Sequence, residues 1–268
     1  MNEGAIGNVL EKWLSSGKLK REELFIVTKL PGTGNRPEEV EKCIKQSLEA
    51  LKLDYVDLYL IHLPVGLIAK EESGQFDLDM TTDHIALWKA MESQVEAGRA
   101  KSIGLSNFNI KQIDRILKNS KIPPANIQVE MHVYFQQKEL MEFCSKNGIT
   151  VCAYGPLGSS GLIDFTKSMG CSTEGIYAPL SDPEVKAISE VHKKTPAQIL
   201  LRFLIQLGSA VIPKSSNPER IKQNIDIFDF ELSSEEMEKL KKLDKGKEGR
   251  MFQKGFFKNL EGHPEYPF

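Results

Sequence analysis

The sequence lacks any apolar stretch long enough to cross a bilayer. Its longest, Leu58 to Ala69, spans 12 residues and is broken by His62, Pro64 and Gly66, against the roughly 20 residues a membrane helix needs. It also lacks an excess of one charge. With 35 basic against 37 acidic side chains and a net charge of −2, it carries no basic footprint for nucleic acid, no polybasic patch for a membrane and no acidic tail. Cysteine is scarce: Cys43, Cys144, Cys152 and Cys171 fit neither CxxC metal spacing nor a dense disulfide framework. No metal site is expected, and a reducing cytoplasm is the simplest home. Glu3 stands where a secretory signal would carry basic residues, so no export is implied. With 40% apolar and 27% charged residues over 268 positions, the chain is too balanced for a disordered tail and long enough for a sizeable core.

What is there alternates. Strand-like runs rich in β-branched and aromatic residues are predicted at 25–30, 57–63, 102–108, 126–132, 150–156 and 210–215. Helical patterns lie between them at 37–51, 85–97, 109–117, 137–147, 183–207 (with an internal start at Pro196) and 218–228. Near-continuous apolar strands such as LFIVTKL and VDLYLIHL argue for a parallel sheet buried on both faces. No low-complexity linker divides the chain, so one domain over 1–268 is expected. The spacing suits βα units, with an insertion around Gly158–Leu180. Asn2 reads as the cap of an opening helix whose apolar face is Ile6, Val9, Leu10, Trp13 and Leu14, and no strand precedes it.

Residues at the C-terminal ends of barrel strands are candidates by location. Lys29 ends one strand and His62 the next; solvated edge residues are the plainer alternative. The clearest local signal is VIPKSSNPERIKQN, where a strand leads to Lys214-Ser215-Ser216 and Asn217-Pro218 open a helix. Free helix N–H groups, the positive dipole end, Lys214 and Arg220 would converge there on a phosphate, although an ordinary capped helix with surface charges reads the same way. No GxGxxG follows any strand, so a Rossmann fingerprint is absent.

LFIVTKL with Lys29, LDYVDLYLIHLP with His62, SIGLSNF, IQVEMH, AYGPLG and VIPKSSNPERIKQN, in this order and through to the terminal HPEYPF, resemble the aldo-keto reductase superfamily over essentially the whole chain. The resemblance implies an α/β (β/α)8 TIM barrel, with strands 3 to 8 present in this chain. It implies a cytoplasmic monomer that binds NADPH and transfers hydride to an aldehyde or ketone, reducing it to an alcohol. No nucleic acid, membrane or obligate protein partner is expected. Lys29 resembles the lysine that lowers the pKa of a catalytic tyrosine, and His62 the histidine that orients the substrate carbonyl. Ser106, Asn107 and Gln128 resemble the trio that holds the nicotinamide carboxamide, and Tyr154 the aromatic on which that ring stacks. Gly155, Leu157 and Ser159 fall in the pyrophosphate loop. Lys214, Ser215, Ser216 and Arg220 resemble the 2′-phosphate clamp, with Gln223 and Asn224 near the adenine. A substrate loop is expected at about 246–268, with Phe252, Phe256 and Phe257 as an apolar wall or as simple packing on the barrel.

The departures are as specific. The family's proton-donating tyrosine precedes an x-Asn-Glu stretch matched here by Met1-Asn2-Glu3, so an N-terminal truncation is expected that removes the tyrosine, its partner aspartate and the first two strands. Val133 stands where the family usually has proline, and Gly155 where it often has serine. Tyr59, three residues from His62, is expected on the opposite face of its strand, and His62 is a candidate to protonate the alkoxide itself. Two further readings stand beside the reductase: a catalytically disabled NADPH-binding or scaffold protein, and an unrelated phosphate-binding barrel such as an isomerase.

Overall fold

The computed structural model describes residues 2–70, 75–159, 161–168, 173, 176–254 and 257–268. They fall into two compact units, Met1–Ile127 with Gly262–Phe268, and Gln128–Glu261.

The first unit opens with α1 (Glu3–Ser15) and continues through β1 (Val27–Leu30), α2 (Pro37–Leu51), β2 (Val56–Ile61), α3 (His84–Glu96), β5 (Ala100–Ser106) and α4 (Ile110–Leu117). Between β2 and α3 lies an antiparallel hairpin, β3 (Gly66–Ala69) with β4 (Phe76–Asp79). β1 pairs with β2 and β2 with β5, all parallel, with Lys29 opposite Leu60 and Leu60 opposite Gly104. Every residue of β2 is buried, as a strand sandwiched between two layers requires. At Gly104 a Cβ would lie 2.5 Å from the Asn126 carbonyl oxygen, so only glycine lets these backbones approach this closely. Asp83 caps α3 by accepting from Ile85 N and Ala86 N, and Pro37 occupies the first turn of α2. The tail returns to this unit: Arg115 Nη2 donates to Glu265 Oε2 at 2.7 Å, and His263 Nε2 lies 2.7 Å from the Asp79 carbonyl oxygen.

The second unit takes most of β6 (Asn126–Glu130) and adds α5 (Lys138–Lys146), β7 (Thr150–Tyr154), α6 (Gly161–Ser168), α7 (Pro183–His192), α8 (Pro196–Gln206), β8 (Ala210–Val211), α9 (Pro218–Ile225) and α10 (Ser234–Lys241). β7 and β8 are parallel, with Cys152 opposite Ala210. α8 is held by a capping box in which Thr195 and Gln198 satisfy each other's backbone donors.

Several expectations are corrected. Asn2 makes no side-chain cap; its backbone sits at φ −111, ψ 7, outside the extended geometry a capping side chain needs. The anticipated apolar face of α1 is covered only in part: Leu10 and Leu14 are half-buried, while Ile6, Val9 and Trp13 are exposed. The strand drawn as 25–30 begins at Val27, leaving Phe25 exposed, and the strand drawn as 210–215 spans two residues only. The helical stretch expected over 183–207 divides at the internal start read at Pro196: α7 ends where Lys193 turns left-handed (φ +54), and α8 begins at Pro196. The β3–β4 hairpin and α10 were not anticipated. The Ser233-x-x-Glu236 capping box of α10 was the available signal. Residues 160, 169–172 and 174–175 of the expected insertion, with Cys171, Phe256 and Met1, lie outside the described residues.

Candidate active site

In the first unit the expected residues cluster at the C-terminal ends of three adjacent strands: Lys29 on β1, His62 just after β2, Ser106 and Asn107 at the end of β5. His62 N donates to the Leu30 carbonyl oxygen at 3.1 Å, fixing the chain beside Lys29. Asn107, buried and left-handed at φ +65, donates through Nδ2 to the His62 carbonyl oxygen (2.9 Å) and to Ser106 Oγ (3.2 Å). The loops that carry the three groups are therefore tied to one another by hydrogen bonds. Burial, and then the charge of Lys29, pushes His62 down to about 4. Its imidazole is neutral at physiological pH, which suits a hydrogen-bond donor to a carbonyl oxygen and removes the imidazolium needed for direct proton delivery. Tyr59 is fully buried with its hydroxyl unpaired. Burial, then Cys43 and Glu3, raises its pKa far above the phenol range.

In the second unit, Gln128 is buried on β6 and Tyr154 ends β7. A cleft of 1120 Å³ opens beyond β7 and β8 and is lined by the remaining predicted residues: Tyr154, Gly155, Leu157 and Ser159 on one loop, Lys214, Ser215 and Ser216 on another, and Arg220, Gln223 and Asn224 on α9. The left-handed backbone of Gly155 (φ +63), Gly158 (φ +78) and Ser159 (φ +48) shapes the first loop. Glycine rather than serine at 155 follows from that geometry. Among the described residues neither Lys214 nor Arg220 forms an ion pair, so both charges face the cleft uncompensated.

One expectation fails here. The helix N–H groups assigned to an anion are already occupied: Asn217 Oδ1 accepts from Glu219 N (2.9 Å) and Arg220 N (3.1 Å), and Ser215 Oγ accepts from Asn217 N. An anion at this end of α9 is left to side chains and the dipole, because the cap has satisfied the backbone donors first.

Sequence reasoning missed Thr195, Pro196 and Ala197, which bring the start of α8 to the cleft; the Thr-Pro-x-Gln box was the signal. It also missed Glu130, whose partners lie more than a hundred residues away. Of the aromatic tail, Phe252 reaches the cleft while Phe257 is buried in packing.

A model of the aldo/keto reductase family matches residues 1–245. This chain belongs to the aldo/keto reductase family. Prostaglandin F synthase 1 of Bos taurus is 40% identical over 275 residues, covering all of this chain and 81% of that protein. Aldo-keto reductase family 1 member A1 of Gallus gallus is 42% identical over 280 residues, covering all of this chain and 83% of that protein. The solved aldose reductase of Schistosoma japonicum matches with a TM-score of 0.86 at 42% identity, covering 100% of this chain and 82% of that one. The aldo/keto reductase fold is the (β/α)8 barrel, and the described residues hold a six-stranded sheet beside the β3–β4 hairpin. The comparisons match the whole of this chain to 81–83% of those relatives' length and do not show the expected truncation. Enzymes of this family use nicotinamide cofactors on small carbonyl compounds. Among the described residues no helix is long and apolar enough to cross a membrane, and no cluster could hold a metal ion.

Proposed function

We propose that this aldo/keto reductase is an NADPH-dependent reductase of aldehydes or ketones, acting as a cytoplasmic monomer. The observation that carries the reading is the pair of cations, Lys214 and Arg220, without an ion pair among the described residues and lining, together with Tyr154, a cleft large enough for a dinucleotide. A guanidinium and an ammonium around a phosphate dianion favour a 2′-phosphorylated nucleotide over its unphosphorylated counterpart. Ser215 and Ser216 would add hydroxyl donors, and Gln223 and Asn224 would face the adenine. Gly155, Leu157 and Ser159 would follow the pyrophosphate. Tyr154 would stack on the nicotinamide, with Ser106, Asn107 and Gln128 binding its carboxamide. When bound, the reduced nicotinamide supplies hydride to the carbonyl carbon. Neutral His62 would orient the carbonyl oxygen by donating a hydrogen bond, and Lys29 beside it would supply positive charge to the developing alkoxide. The thiols of Cys43 and Cys144, free among the described residues, support a reducing compartment.

The proton has no evident source among these groups, which favours a second reading: NADPH binding without turnover. His62 at about 4 is not an imidazolium near neutrality and so is no acid there, and the Tyr59 hydroxyl is buried. One experiment separates the two. Calorimetric titration with NADPH and NADH, followed by aldehyde-dependent NADPH oxidation, is expected to show NADPH-selective binding. Turnover then supports the reductase, binding alone supports the sensor, and equal affinity for both nucleotides sinks the phosphate-clamp reading.

A further inference from the structure

Glu130 is a carboxylate only 1% exposed, two residues beyond Gln128 on β6 and therefore on the same face of the strand. Burying such a group is unfavourable unless its lone pairs are filled. Here the Met251 N–H donates to Oε1 at 2.6 Å, the Phe252 N–H donates to Oε2 at 3.2 Å, and His132 Nε2 lies 3.1 Å from Oε1. The carboxylate thus fixes two consecutive backbone units of the distant C-terminal segment. The Met251 side chain is wholly buried, and its Sδ accepts from Tyr177 N at 3.3 Å. Phe252 is the next residue. Its ring meets Tyr154 edge-on, with centroids 5.1 Å apart and planes at 90°. It also fills the space above Gly155, where a Cβ would come within 2.9 Å of the ring. Both rings line the cleft.

We propose that Glu130 is a positioning residue that, through the Met251 and Phe252 backbone, sets Phe252 as the second aromatic wall at the Tyr154 end of the cleft. The wall tightens the hold on the nicotinamide half of the nucleotide and not on the adenosine phosphate half. This rests on the nucleotide reading proposed above. A tail tether without a role in binding would show the same hydrogen bonds, so the test must read the two halves of the ligand separately.

The probes are NADPH and adenosine 2′,5′-bisphosphate, which carries the phosphate but no nicotinamide, titrated into wild type, Phe252→Ala, Glu130→Gln and the double variant. Phe252→Ala is expected to weaken NADPH about three- to tenfold, the range of one aromatic pair, with the bisphosphate changed less than about twofold. Glu130→Gln should produce the same selective loss and add nothing in the Phe252→Ala background, while amide exchange at Met251 and Phe252 accelerates. If Glu130→Gln does not fold, Glu130→Asp, whose shorter side chain draws the carboxylate away from the Met251 and Phe252 N–H groups, should reproduce the selective loss. An unchanged ratio of the two affinities in Phe252→Ala, or additive losses in the double variant, overturns the proposal while leaving the nucleotide reading intact. Failure of wild type to bind either ligand overturns both, and the exchange rates at Met251 and Phe252 then report whether the tether exists apart from any ligand.

Discussion

The two units hold their candidate residues by different means. In the first, Lys29, His62 and Asn107 sit at the ends of strands paired residue by residue, and β2 between them is buried throughout. In the second, the proposed cationic clamp, Lys214 and Arg220, hangs on the loop after β8, a strand of two residues, and on α9, which buries none of its residues. The contrast shows what each job needs. Tuning a titratable group requires exclusion of water and a fixed charge nearby, which strand ends supply: His62 falls to about 4. Catching a phosphate requires long cations that remain solvated until the ligand arrives, which a loop and a surface helix supply at the cost of sensitivity to salt.

The comparison can be broken most forcefully in the first core. Trp88 is 1% exposed and donates through Nε1 to the Ile122 carbonyl oxygen at 3.0 Å. Trp88→Ala should lower unfolding free energy by about 3–5 kcal/mol, read by urea denaturation, whereas Arg220→Ala in the second unit should leave it unchanged. Lys214→Ala or Arg220→Ala is instead expected to weaken NADPH about ten- to a hundredfold, as for loss of a charge-assisted bond. NADH should be barely affected, and the loss should shrink at high salt; a loss equal for both nucleotides would place the 2′-phosphate elsewhere.

A smaller effect follows from Asp79, whose carboxyl the Arg36 guanidinium, 2.6 Å away, and then Thr81 hold at about 2. Because the folded value lies below the ordinary 3.8, the contribution is fully present above that value and is lost as pH falls through about 2. Acid unfolding of wild type should therefore steepen toward pH 2, and Asp79→Asn should flatten it. Thr195→Ala, which removes the α8 cap at the cleft, should cost about 1 kcal/mol in thermal unfolding. The smallest expected effect is none: with His62 neutral throughout, NADPH affinity of wild type and His62→Gln should run parallel from about pH 6 to 8. A wild-type inflection missing from the variant would mean that His62 is charged in that range.

Much of this was legible from local chemistry. Apolar alternation, Pro37 at a helix start and the Thr195 box locate most strands and helices to within a few residues. Motif order places every predicted cofactor residue of the second unit except Gln128 on one cleft. The errors have a common cause. Phe25 and, on α1, Ile6, Val9 and Trp13 look like core but are exposed, because an apolar residue is buried only if an element covers it. The free N–H groups before α9 look like an anion site but are taken by Asn217.

Secondary structure, caps and the identity of the chemically active side chains are properties of neighbours in the chain, and residue order dictates them. Which of those side chains share water-free space is a property of distant neighbours. Glu130 reads as one more strand residue until the fold brings Met251 and Phe252, 121 and 122 positions later, onto its two oxygens. Only that closure turns a buried carboxylate from a destabilising group into the anchor of the cleft's aromatic wall, because its charge is tolerated only where donors converge on it.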